Sequence, residues 1–309
     1  MAMLKEQGDP VPLTHEERRA RREARRIKQR DANVSRAAAM HAARTAPGVL
    51  PALPPTEPPS INVGCSGWFY WHWKELFYGA TLPTNQWFEK YRGHFPTVEL
   101  NAPFYSWPTI NSVSQWLRQV RGGDFVYTVK VCELITHVKR FVGTKTLLRD
   151  FGYIADLLGS HMGCFLFQLL PSYDFTPSRL KSIVGQLEPS RRNVVEFRHK
   201  SWWNEKVYDA FRQTGTIFCS CSAPRLPADL VKTADEVYLR FHGPKQWYRH
   251  YYSGEELLQW QTKIRESNCR RVWAYFNNDR EGHSVTNARE FTALLSLRAD
   301  NFVTGSCRD

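Results

Sequence analysis

Beyond Pro59 the chain alternates repeatedly between a short apolar run and a longer amphipathic stretch, and this alternation restricts the fold more than any other feature. The apolar runs are Ile61–Gly67, Thr97–Phe104, Phe125–Val131, Cys164–Leu170, Val194–Arg198, Ile217–Ser222, Glu236–His242 and Arg271–Asn277. Helical spacing lies between them at Thr84–His94, Ile110–Arg121, Lys145–Leu158, Pro177–Leu187, Trp203–Gln213 and Gly254–Glu266. An irregular piece falls near Leu226–Ala234, and a last helix covers about Ser284–Leu297. Strands separated in this way run parallel, because each parallel return needs a crossover of about a dozen residues or more. Eight such units predict an α/β fold, a single (β/α)8 TIM barrel over 61–300, rather than an open doubly wound sheet. No Gly-x-Gly-x-x-Gly follows the first strand, which argues against dinucleotide binding.

Residues 1–60 have a different character. They hold no aromatic residue, are dense in charge, and end in the Pro-rich run from Pro51 to Pro59. Arg18, Arg19, Arg21, Arg22, Arg25, Arg26, Lys28 and Arg30 supply part of the net charge of +12. The segment reads as a disordered basic arm on a stiff linker, transiently helical between Thr14 and Ala43, with Thr14 and Glu17 as a capping box. Residues 301–309 read as a C-terminal tail. The arm is a candidate contact for nucleic acid or simply a solvated extension.

No apolar stretch approaches the ~20 residues that span a bilayer, and the first residues carry no secretory core, so the expectation is a cytoplasmic protein with no membrane partner. The basic arm leaves a nuclear or organellar site open. Seven irregularly spaced cysteines point to free thiols. Cys219 and Cys221 fall on one face of a strand and are expected in the core.

The informative pattern is where polar residues fall. They gather at the ends of the strands, after an apolar start: Glu99, Asn101 and Tyr105, then Lys130 with His137 in the following loop, then Gln168, Glu196, Arg198, Arg240, His242, Tyr275 and Asn277. Glu99/Asn101, Glu196/Arg198, Arg240/His242 and Tyr275/Asn277 are each spaced i, i+2 and so share one strand face. The intervening Leu100, Phe197, Phe241 and Phe276 suit the side facing the helices. Barrel interiors are normally filled with branched apolar side chains, and ionised groups there are costly unless paired. Charged residues converging from several strands therefore predict a site at the C-terminal rim, although any one pair could be a structural ion pair. Trp202 is the aromatic residue expected to line it, for stacking on a sugar or base.

A set of ordered motifs extends this reading. Gly64-Cys65-Ser66-Gly67-Trp68, Thr97-Val98-Glu99-Leu100-Asn101 with Phe104-Tyr105, Ile135-Thr136-His137, Phe167-Gln168-Leu169, Glu196-Phe197-Arg198-His199-Lys200-Ser201-Trp202, Arg240-Phe241-His242-Gly243 and Tyr275-Phe276-Asn277-Asn278 with Asn287-Ala288 occur in order. Together they resemble the YecE-like family, the domain of unknown function numbered seventy-two, over roughly Ile61 to Leu295. The resemblance implies a TIM barrel and a shared pocket, but no reaction. The chain departs from the family pattern at Leu170, where proline is usual, and at Ser106-Trp107, where arginine often follows Phe-Tyr.

The function expected on these grounds is an enzyme working by general acid/base catalysis on a phosphorylated or otherwise anionic sugar- or nucleotide-like substrate. Glu99 or Glu196 would act as base and His242 or His137 as acid. Asn101, Tyr105, Lys130, Gln168, Arg198, Trp202, Arg240, Tyr275 and Asn277 would bind the substrate. No metal site is assigned: a divalent cation is a lesser alternative, since arginine or lysine flanks nearly every acid. The alternative of another class is a non-catalytic nucleic-acid-binding protein using the pocket and the arm.

Overall fold

The structure, a computed structural model, describes residues 14–48, 57–120 and 122–296. Eight strands form the barrel wall: β1 (Ile61–Cys65), β2 (Thr97–Leu100), β3 (Val126–Lys130), β4 (Met162–Gln168), β5 (Asn193–Glu196), β6 (Ile217–Ser222), β7 (Glu236–Phe241) and β8 (Arg271–Phe276). Neighbouring strands pair in parallel, in the order β1-β8-β7-β6-β5-β4-β3-β2. The helices are α1 (His15–Arg44), α2 (Trp87–Arg92), α3 (Ala102–Tyr105), α4 (Ile110–Val120), α5 (Lys145–Leu158), α6 (Pro177–Val184), α7 (Glu205–Thr214), α8 (Gly254–Glu266) and α9 (His283–Ser296). The expected barrel is thus present. Among the described residues no helix is long and apolar enough to cross a membrane.

The seam between β1 and β2 is closed by side chains. The Cys65 N–H donates to the Tyr91 hydroxyl at 2.9 Å, and that hydroxyl donates to the Thr97 carbonyl at 3.0 Å. The strands come so close that a Cβ on Gly64 would sit 2.2 Å from the Thr97 oxygen, so only glycine fits.

The barrel interior is layered. At the N-terminal end Glu236 accepts from Arg192, Arg271 and the Trp273 indole. Above it the Tyr275 hydroxyl bridges Thr97 and Thr128, at 2.8 Å to each. Phe197, Phe241 and Phe276 face outward into the helical shell, as their alternation requires.

Two elements differ from expectation, and a third is as irregular as expected. β2 ends at Leu100, and Asn101 turns the chain into the short α3, which carries Tyr105 out to solvent at 61% exposure. Leu226–Ala234 has no helix; that segment lies along β6, with the Ser220 and Thr233 hydroxyls accepting from the backbone of Val231 and Phe218. Residues 15–44 of the segment expected to be a disordered arm form one helix of 30 residues, with the Thr14–Glu17 capping box in place. Its second half is docked: Asn33, Ala37 and Met40 are buried, and Arg44 and His41 reach Asp150 on α5 at 2.9 and 3.0 Å. The stripe that docks is short and made of Asn, Ala and Met, so charge hid it from a hydrophobicity reading. The expected linker at Pro51–Pro59 falls largely outside the described residues, as do residues 1–13 and the 301–309 tail.

Candidate functional site

Alternation along β2, β5 and β7 turns Glu99, Glu196, Tyr238, Arg240 and His242 into the barrel, where all five are buried. Arg240 lies at the centre. Its Nη1 donates to Glu196 Oε2 and its Nη2 to Glu99 Oε1, each at 2.5 Å, so one guanidinium ties opposite walls together. Glu99 is saturated: it also accepts from the Tyr238 hydroxyl at 2.6 Å and from Ser66 at 2.8 Å. Glu196 also accepts from Arg198 Nε. Burial pushes the Glu196 carboxyl up, but Arg198, Arg240 and His242 outweigh burial and hold it well below the usual range.

His242 sits beside this cluster, with Nε2 3.5 Å from Glu196 Oε1 and 3.3 Å from Arg198 Nη2, and with Nδ1 3.2 Å from the Asn277 carboxamide. Burial, then Arg198 and Arg240, press its pKa well below the ordinary value, so the ring is neutral. A neutral imidazole has one N–H. With Nδ1 accepting from the Asn277 amide nitrogen, that N–H sits on Nε2 and faces Glu196 Oε1.

Over this charged floor lies a more accessible rim. Arg198 stacks on the Trp247 ring at 4.3 Å; among the described residues its Nη1 has no acceptor. Lys130 Nζ rests 4.1 Å from the centre of the Phe104 ring, and His137 packs edge-on against the same ring at 4.9 Å. Burial, followed by Lys130 and nearby arginines, lowers His137 to about 4. Asn101, Gln168 and Asn277 are half-buried at the same end. Asn101 is partly committed, donating to the Ser66 carbonyl at 3.0 Å across the β1–β2 seam, and the Gln168 amide donates to the Leu169 carbonyl at 2.8 Å.

Three expected substrate contacts take other positions. Trp202 is fully buried outside the barrel wall, stacked on Phe197 at 4.0 Å with its indole N–H on the Tyr173 carbonyl at 2.7 Å; a large apolar ring gains more there than at a wet rim. Tyr275 belongs to the layer beneath the cluster, its hydroxyl spent on Thr97 and Thr128. Tyr105 points to solvent from α3. Conversely, Tyr238 and Ser66 join the cluster although neither is among the expected site residues. Tyr238 precedes Arg240 by two residues on the same strand, so period two held the signal, but tyrosine in a β-strand reads as packing.

Glu196 Oε, Cys219 Sγ and Cys221 Sγ lie within 4.8 Å of one another. As a metal site this group is poor, because two guanidiniums already hold the carboxylate and burial raises the Cys219 thiol. Both cysteines are buried, as expected, with sulfurs 3.8 Å apart. A cleft of about 720 Å³ lies elsewhere, on the outer wall between α5 and the segment that follows α6, from Gly185 to Asn193. Of the charges that line it, Arg44 pairs with Asp150 and Arg191 with Asp156, while Lys145 and Arg149 have no carboxylate partner among the described residues.

The profile of the family described as "Protein of unknown function DUF72" matches residues 62–307. UPF0759 protein YunF of Bacillus subtilis (strain 168) is 24% identical over 276 residues, covering 77% of this chain and 95% of that protein. A DUF72 family protein of Thermotoga maritima MSB8 superposes with a TM-score of 0.70 at 29% identity, over 77% of this chain and all of that one. Another from Enterococcus faecalis V583, at 18% identity and a TM-score of 0.66 over 76% of this chain and 95% of that one, shares the fold.

Proposed function

The chain belongs to the DUF72 family, and from that premise we propose that the barrel mouth is the active site of an enzyme for a small anionic substrate, a phosphorylated or carboxylated sugar- or nucleotide-like molecule. The observation that carries this reading is the charge layer itself. Two carboxylates and two guanidiniums are buried together with a lysine that has no carboxylate partner among the described residues, where several kcal/mol of desolvation per ion opposes burial. Apolar side chains would close a barrel at lower cost. Arg198 and Arg240 balance Glu99 and Glu196, the Arg198 Nη1 is left without an acceptor among the described residues, and Lys130 adds a positive charge whenever it is protonated. An anion is the ligand that such a rim would take.

In this reading Arg198 holds the anion beside Lys130, and Asn101, Gln168 and Asn277 contact hydroxyl or ring-nitrogen groups. Glu196 with the neutral His242 beside it forms the proton-handling pair. Glu99, Arg240 and Tyr238 are positioning residues that fix the floor, and His137 borders Lys130.

A second reading rests on α1. Every residue from His15 to Lys28 is exposed, and the arginines among them project from the docked half like a basic rod. A polyanion such as nucleic acid would bind there by its phosphates without chemistry at the mouth. One screen tests both: thermal shift of the full chain with inorganic phosphate, ribose 5-phosphate, AMP and short DNA and RNA oligonucleotides at low and high salt. We expect sugar phosphate or phosphate to raise the melting temperature of wild type but not of Arg198→Ala. If no small anion acts, and oligonucleotides bind only at low salt, the enzyme reading fails in favour of the second.

A further inference from the structure

Lys130 is 8% exposed, its amine rests over the Phe104 ring, and among the described residues it makes no hydrogen bond and no ion pair. The charged groups that face it are Glu99 from β2, Glu196 and Arg198 from β5 and Arg240 from β7, with His137 in the turn after its own strand. The two carboxylates are engaged by guanidiniums, so neither is available to fix an ammonium. Desolvation, then the neighbouring Arg240, therefore favour the uncharged amine, which titrates at about 7 instead of 10.5. A lysine that is desolvated and next to other cations is set up as a nucleophile.

We infer that Lys130 forms an imine with the carbonyl group of an anionic aldehyde or ketone, a 2-oxo acid or a keto or aldehyde sugar phosphate. The inference rests on the mouth being the ligand site proposed above, with Arg198 holding the anionic group. The Nζ lone pair attacks the carbonyl carbon and the carbonyl π pair moves to oxygen, giving a carbinolamine. The two amine hydrogens then leave with that oxygen as water, and C=N forms. No electron carrier is needed. The imine acidifies the adjacent carbon, which is the chemistry of proton transfer or carbon–carbon cleavage next to a carbonyl.

The test traps the imine in the full-length protein with sodium cyanoborohydride and, in turn, glyoxylate, pyruvate, dihydroxyacetone phosphate and neutral glycolaldehyde, read by intact mass and peptide mapping. We expect one reduced adduct on the peptide bearing Lys130, forming on the order of tenfold or more faster than at any exposed lysine at neutral pH. Its rate should be half-maximal near the pKa of about 7. Lys130→Arg should lose that adduct, while Arg198→Ala should slow the anionic carbonyls and spare glycolaldehyde. Adducts spread over surface lysines with none enriched at Lys130 would overturn the inference, and mapping on wild type reads this whether or not the variants fold. If phosphate stabilises the chain through Arg198 yet no carbonyl is trapped, the anion site stands and the imine falls. If glycolaldehyde is trapped at Lys130 and no anion stabilises the chain, the imine stands without the substrate reading.

Discussion

At the end of β3, the desolvated Lys130 makes stability depend on pH in a direction that can be measured. Its pKa falls from 10.5 in the unfolded chain to about 7 in the fold, so between those values the unfolded state binds more protons. Stability therefore rises with pH across that window, and the full penalty applies below it. Lys130→Met, similar in shape and uncharged, should be more stable than wild type at neutral pH, by a few kcal/mol at most. That advantage should shrink as pH rises towards 10.5, above which the lysine is uncharged in both the folded and the unfolded state; melts of both proteins from about pH 6 to about pH 11 check this. His137, lowered to about 4, acts the same way on the acid side: stability is lost as pH falls from its unfolded value of 6.5. A Lys130→Met variant that is less stable at every pH would mean that the amine has a partner after all.

The element that sequence reading misjudged is α1, and one side chain explains how it is held. Asn33 is fully buried; its amide donates to the Tyr105 carbonyl at 3.0 Å and its oxygen accepts from the Trp107 N–H at 2.9 Å. It thus satisfies two backbone groups in the turn between α3 and α4, as a neighbouring strand would. Arg36 adds a bond to Ser106, and Asp150 anchors the far end. Asn33→Ala should leave both backbone groups without their partner at a cost of about 1–3 kcal/mol each. Because the loss falls on the α1 contact, we expect limited proteolysis to release α1 faster while the barrel stays intact. Equal resistance in the variant would show that Ala37, Met40 and the Asp150 pairs suffice.

Over the whole molecule, closure of the barrel depends on side chains at its seam. β1 and β2 are joined through the Tyr91 hydroxyl, through Ser66 to Glu99 and through Asn101 to the Ser66 carbonyl. Two of these three links involve residues that also build the mouth, Glu99 and Asn101, so the site and the closure share parts. Tyr91→Phe keeps the packing and removes one hydroxyl, leaving a buried N–H and a buried carbonyl without that partner. We expect a loss of about 1–3 kcal/mol in denaturant unfolding, with the slope unchanged. A neutral result would mean that the seam is closed by packing alone.

The sequence by itself determined the barrel and the end of it that carries charge. Strand and helix periods are local, and eight parallel units leave few ways to bury their apolar faces. The i, i+2 pairs likewise put Glu99, Glu196, Arg240 and His242 inside with no knowledge of the partners. Tertiary structure alone decided depth and pairing. Tyr275 and Glu99 are equally inward, but only the stagger of the strands sinks one beneath the other, and only distances reveal that both glutamates are taken by arginines while Lys130 is not. It also decided that Trp202 packs outside the wall and that half of a charged helix is docked. Those outcomes rest on contacts between residues far apart in the chain, and on desolvation, which depends on everything that surrounds a group and so cannot be read from its neighbours in sequence.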